Sequence, residues 1–277
     1  MPKVVKRIWD SAPLWAWIVM AVCVVILVVG LIISSNRTAP TSPSAAETLP
    51  TTSTAMQTPA TVAFVDDARA NPETPKTLVL LGDSTGADPN GWAPALGESI
   101  SQTLERPVAT RYWNSSTDSY GPMVGLGDGP NGPVGYWNAS ASGRDADYAL
   151  DNLDAMITPD VTPDLIMLNF GHTQDTSQPL APQLQPLIDE LRQRYPEADL
   201  VAIKQSPAQG ADTSAQLEGF AAAMDAEGIQ VIDVSSAFPT SSTQLSALLR
   251  DSVNPNAEGQ QLWTRTVLSA FGLPEVQ

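Results

Sequence analysis

The sequence predicts an α/β domain, a parallel sheet with helices on both faces, preceded by one transmembrane helix. Three observations carry that reading. Short apolar runs of strand length alternate with amphipathic stretches of helical period through roughly the last 200 residues. A charge-free apolar segment of 20 residues, Leu14–Ile33, follows a basic N-terminus. Between the two lies a Ser-, Thr- and Pro-rich stretch with neither period.

Residues 1–13 hold Lys3, Lys6 and Arg7, whereas Arg37 alone follows the apolar segment closely. The positive-inside bias assigns residues 1–13 to the cytoplasm and residues 14–33 to a signal anchor with an exported C-terminal domain. Twenty apolar residues suffice to cross a bilayer core of about 30 Å as a helix. Trp15 and Trp17 stand where an interfacial aromatic belt belongs. No small-residue cleavage motif follows the segment, which favours an uncleaved anchor. The chain's one cysteine, Cys23, lies inside this segment after Val22. An intramolecular disulfide and a cysteine-based metal site are therefore excluded, and lipid attachment is disfavoured. Residues 34–75 read as an extended stalk.

Residues 76–277 form the predicted domain. Thr77–Leu81, Val108–Trp113, Asp164–Gly171, Leu200–Ile203 and Ile229–Val234 read as five strands. Gly91–Thr103, Asp145–Ile157, Ala181–Arg194, Asp212–Glu227, Thr243–Leu249 and Ala257–Phe271 read as helices, with Asp212 or Thr213 as a cap for the fourth. Asn114 to Val134, crowded with Gly and Pro, reads as a long loop. Such alternation implies parallel βαβ units, whose ligands bind beyond the carboxyl ends of the strands. The formal charge of −16 falls entirely in this domain, because residues 1–75 carry equal numbers of acids and bases. A surface this acidic repels a phosphate backbone and argues against nucleic-acid partners.

The chemistry gathers after the first strand. Gly82-Asp83-Ser84-Thr85-Gly86 puts a serine in a glycine-flanked turn at a strand's carboxyl end. That turn exposes a hydroxyl for nucleophilic attack and offers backbone N–H groups to an oxyanion. Three further segments join it: Asn138-Ala-Ser-Ala-Ser142-Gly143, Asn169-Phe-Gly171-His172-Thr173 and Asp251-Ser-Val-Asn254-Pro255-Asn256. In order and spacing, these four segments resemble blocks I, II, III and V of the SGNH/GDSL hydrolase superfamily. Trp263, on the last helix, also fits. The resemblance implies a flavodoxin-like three-layer α/β/α sandwich with a five-stranded parallel sheet. It implies Ser84 as nucleophile, Asp251 as the acid that orients the base, and Ser84, Gly143 and Thr173 around the oxyanion. No metal or cofactor is implied.

Two positions depart from the pattern. The block V histidine, the base of these enzymes, is Asn254 here, and the block III asparagine is Thr173. An amide holds a hydrogen bond but does not accept a proton near neutral pH. His172, the chain's only histidine, is the candidate surrogate base. Tyr112, Trp113, Tyr120, Tyr136 and Trp137 flank or lie in the Gly/Pro-rich region, where they suit either a sugar face or core packing. The sequence thus supports two functions. One is a membrane-anchored, extracytoplasmic serine esterase acting on O-acyl esters of a cell-envelope glycan or lipid. The other is a pseudo-hydrolase that binds such a glycan or acyl ligand in the retained cleft.

Overall fold

The computed structural model describes residues 58–210 and 213–275. The apolar segment 14–33, stalk residues 34–57 and the expected cap Asp212 lie outside the described residues. No helix among the described residues is long and apolar enough to cross a membrane.

The elements run α1 (Ala60–Ala70), β1 (Lys76–Gly82), a 3-10 turn (Ser84–Gly86), α2 (Trp92–Leu104), β2 (Val108–Asn114), β3 (Ser119–Tyr120), β4 (Val124–Gly127) and β5 (Val134–Ser140). They continue with α3 (Ala146–Asp151), α4 (Leu153–Met156), β6 (Leu165–Asn169), α5 (Leu180–Arg194), β7 (Asp199–Lys204), α6 (Ser214–Ala226), β8 (Gln230–Asp233), a second 3-10 turn (Ser235–Ala237), α7 (Ser242–Ser246) and α8 (Ala257–Ala270). Strands β2, β5, β1, β6, β7 and β8 pair in that order, each parallel to its neighbour. Short β3 and β4 add antiparallel to β2, making the described sheet mixed and eight-stranded.

Alternation along β1 explains the three layers. Leu78 and Leu80 enter a core beneath α1, α2, α7 and α8. Val79 and Leu81 enter a second core beneath α3 to α6. All four side chains are fully buried, and each such burial contributes about 1.5–3 kcal/mol. A strand with apolar residues on both faces reads as an unbroken run, which is how Thr77–Leu81 appears in the sequence.

The structure corrects four expectations. The five-stranded parallel sheet has a sixth parallel strand, β5, inserted between β1 and β2. The expected loop from Asn114 to Val134 contains β3 and β4. The expected single helix Asp145–Ile157 breaks at Asn152 into α3 and α4. The stalk ends well before residue 75, because α1 packs Thr61, Phe64, Val65 and Ala68 into the domain. Fully buried Arg106 ties α1 down: its guanidinium donates to the carbonyls of Ala68, Asn71, Thr74 and Gly132 at 2.7–2.8 Å.

Candidate active site

Ser84 sits just beyond the carboxyl end of central strand β1 and opens the 3-10 turn, half-buried. The preceding residue anchors that turn. Asp83 is fully buried, and both of its oxygens are used. Oδ1 accepts from Thr85 N at 3.0 Å and Thr85 Oγ1 at 2.7 Å. Oδ2 accepts from His172 N at 3.3 Å and Gln205 Nε2 at 3.1 Å. With this many donors on one side chain, Asp83 fixes the turn after it. From the other side, Trp92 Nε1 donates to Thr85 O at 2.9 Å, and its indole stacks on Trp263 with centroids 6.0 Å apart. Trp263 therefore supports the Ser84 turn through Trp92.

The glycines around Ser84 are spatial requirements. A Cβ on Gly82 would lie 2.8 Å from Asn169 O, and one on Gly86 would collide with Ser140 Oγ. Gly143, which follows β5, has φ +73°, the left-handed region glycine favours. The N–H groups of Ser84 and Gly143 donate to no acceptor among the described residues. Ala141 N donates to Gly82 O at 2.8 Å, so the chain leading to Gly143 runs beside the end of β1. Thr173, expected as the third donor, has its hydroxyl engaged. It donates to Arg144 O at 2.7 Å and so locks the block II turn against the block III loop.

Asp251 and Asn254 stand together on the loop before α8. Asp251 Oδ1 accepts from Val253 N at 2.9 Å and Asn254 N at 2.7 Å, and Oδ2 accepts from Asn254 Nδ2 at 2.9 Å. Burial pushes the Asp251 carboxyl up, but the Asn254 and Val253 donors and nearby Arg250 outweigh it and hold the pKa below its ordinary value. Asn254 Oδ1 is shielded from solvent with no partner among the described residues. Asn256 begins α8, its Oδ1 accepting from Glu258 N and Gly259 N. An Arg250–Asp88 ion pair of 2.8 Å joins this loop to the segment after Ser84. Gln209 N also donates to Ser252 O at 2.7 Å, linking it to the chain after β7.

His172 follows β6, its backbone N–H donating to Asp83 Oδ2 at 3.3 Å. Burial lowers its pKa, against the opposing pull of Asp83 and then Asp251. Its Nε2 is shielded and has no partner among the described residues.

Sequence reasoning missed Gln205, which is fully buried. Its Oε1 accepts from His172 N at 3.1 Å. Its Nε2 lies 3.0–3.1 Å from Asp83 Oδ2, Thr85 Oγ1, Asn169 O and Asn169 Oδ1. Only its position just past the strand Leu200–Ile203, where ligand-facing residues collect, could have drawn notice. Among the aromatics, Tyr136 belongs to the core. Trp113 belongs to the second core and forms an edge-to-face ladder with Tyr120 and Trp137, which pack against that core, with centroids 4.9–5.1 Å apart.

No family model matches the chain, and no curated protein does either. Solved structures match the chain in fold. A two-domain esterase active on acetylated mannans aligns with TM-score 0.54 and 12% identity, over 77% of this chain and 52% of that one. A protein described as a GDSL-like lipase, from Parabacteroides merdae, aligns with TM-score 0.51 and 13% identity, over 73% and 98%. Axe2, an acetylxylan esterase from Geobacillus stearothermophilus, aligns with TM-score 0.50 and 15% identity, over 75% and 99%. The fold is that of the SGNH/GDSL hydrolases. Within the SGNH fold, the four sequence blocks occupy the carboxyl edge of the sheet around Ser84. Block I is the turn after β1, block II ends β5, block III follows β6, and block V precedes α8.

Proposed function

We propose that this SGNH-fold domain is a serine esterase-type hydrolase, anchored in the membrane through residues 14–33 and working outside the cytoplasm on O-acyl esters of a cell-envelope glycan or lipid. One observation carries the reading. Ser84 stands on a turn whose carboxylate anchor, Asp83, is fully paired, beside the unengaged N–H groups of Ser84 and Gly143. That arrangement suits attack by Ser84 Oγ on an ester carbonyl, with the developing oxyanion received by the two N–H groups. The glycan substrate is supported by similar solved structures that act on acetylated mannans or are acetylxylan esterases. Losing a triad member costs about 10⁴–10⁶ in turnover and leaves about 10³–10⁴ over water, so a slow enzyme is expected unless another base serves.

Release of acetate from acetylated xylan and from p-nitrophenyl acetate tests this reading. Wild-type protein should exceed Ser84→Ala, and equal rates would refute it.

A second reading, a binding module, is favoured by Asn254, which satisfies Asp251 as an imidazole would but adds no basicity. Under it, acetylated xylo-oligosaccharides would bind wild type and Ser84→Ala alike, measured by calorimetry, with no acetate released.

A further inference from the structure

We propose that His172 is the base of this site: its Nε2 takes the Ser84 proton, and its placement runs through Asp83 and Gln205 rather than through Asp251. The inference rests on the esterase reading and names the residue that would make it turn over.

The alternatives are spent. Asn254 carries an amide. Asp251 has both oxygens bonded within its own loop, and using it would break those contacts. The Thr173 hydroxyl is committed to Arg144 O. His172, by contrast, is fixed by two bonds from its backbone N–H, to Asp83 Oδ2 and Gln205 Oε1. Asp83 is covalently next to Ser84, so one hydrogen bond sets the histidine's backbone against the nucleophile's own turn. A shielded polar atom without a partner calls for an explanation, and His172 Nε2 is one. Ser84 Oγ makes no hydrogen bond to it in this structure, so the transfer requires the hydroxyl and the ring to close on each other. Hydrogen bonds of this kind often tighten only when substrate binds.

The charged groups acting on the ring are Asp83, from the nucleophile turn, and Asp251, from the loop before α8. Gln205, on the β7 side, is neutral. Burial outweighs both carboxylates, so the ring is uncharged at neutral pH and can accept a proton. Both carboxylates stabilise the imidazolium once it forms.

The step balances. Ser84 Oγ bonds to the acyl carbon as its proton moves to Nε2, and the carbonyl electron pair passes to oxygen. When the ester C–O bond breaks, Nε2–H returns the proton to the leaving alkoxide. Water then attacks the acyl-serine, giving its proton to Nε2, and Ser84 leaves with that proton.

The experiment measures fluorophosphonate labelling and p-nitrophenyl acetate hydrolysis by the full chain, from about pH 4.5 to 9. Wild type, His172→Gln, His172→Ala and Gln205→Leu are compared, with thermal melts as a check on folding. The neutral ring is the acting form, so the wild-type rate should fall as pH drops through one ionisation below 6.5. His172→Gln should lose that limb and at least about 10²-fold in rate, and added imidazole should partly restore His172→Ala. Gln205→Leu should keep labelling at Ser84, with a lower kcat, a near-constant KM and a shifted limb. Wild-type rates in a folded His172→Gln, or a wild-type profile with no acid limb, would overturn the inference alone. A wild type no faster than Ser84→Ala would overturn the esterase reading and this inference with it.

Discussion

Asn254 grips Asp251 twice, through its backbone N–H at 2.7 Å and its side-chain Nδ2 at 2.9 Å. The side-chain contact is the one an imidazole N–H makes to the carboxylate of a serine triad. The amide therefore has the shape of an acid–imidazole pair, and its Oδ1 is left without a partner among the described residues. What an amide lacks beside such a carboxylate is proton affinity.

Asn254→His should for that reason raise activity rather than disturb the fold. The new ring would find Asp251 already oriented on a loop held by the Arg250–Asp88 ion pair. We expect kcat/KM for p-nitrophenyl acetate to rise by about 10²-fold or more, with the same melting temperature within a few degrees. A folded variant with unchanged kcat/KM would mean that the loop does not present residue 254 to Ser84.

Arg106→Met should be among the costliest single changes. It would leave four carbonyls, previously served by one buried guanidinium, with a methyl group in place of a donor. The loss should be about 3–5 kcal/mol, read as a lower midpoint in urea with little change in slope.

Gly82→Ala should couple stability to the site. The added methyl meets a backbone carbonyl, Asn169 O, at 2.8 Å, and neither strand can yield without moving the turn after it. Asn169 also donates to Thr85 Oγ1 at 2.9 Å. We expect a loss of about 1–3 kcal/mol together with slower fluorophosphonate labelling.

The position where the packed domain begins can be tested by truncation. A fragment starting at residue 56 should melt cooperatively. One starting at residue 76 should not, because it removes the buried Phe64, Val65 and Ala68 and the Ala68, Asn71 and Thr74 carbonyls that hold Arg106. Far-ultraviolet circular dichroism against temperature distinguishes the two.

Sequence range decides which features were legible in the chain and which were not. Leu78 to Leu81 mark a doubly buried strand by composition, and Ser84 stands out because a glycine-flanked turn comes directly after that strand. Leu184, Leu187, Ile188 and Leu191 mark α5 by their spacing alone. Strand β5 hid because Gly135 and Asn138 are poor strand formers and Pro133 precedes it, although Val134 and Tyr136 alternate toward one core. Helix α1 carries a clear stripe at 61, 64, 65 and 68, masked by the Ser- and Thr-rich stretch before it. Gln205 was beyond reach, because its partners Asp83 and Asn169 lie 122 and 36 residues away. Nothing local distinguishes a buried hub glutamine from one on a surface loop.

The central claim is that Ser84 is a working nucleophile in a site otherwise built for acyl chemistry. The most direct test is intact mass and peptide mapping of the full chain after exposure to a fluorophosphonate. A single adduct is expected, on Ser84, absent from Ser84→Ala. No adduct after prolonged exposure, or an adduct at another residue that persists in Ser84→Ala, would contradict it.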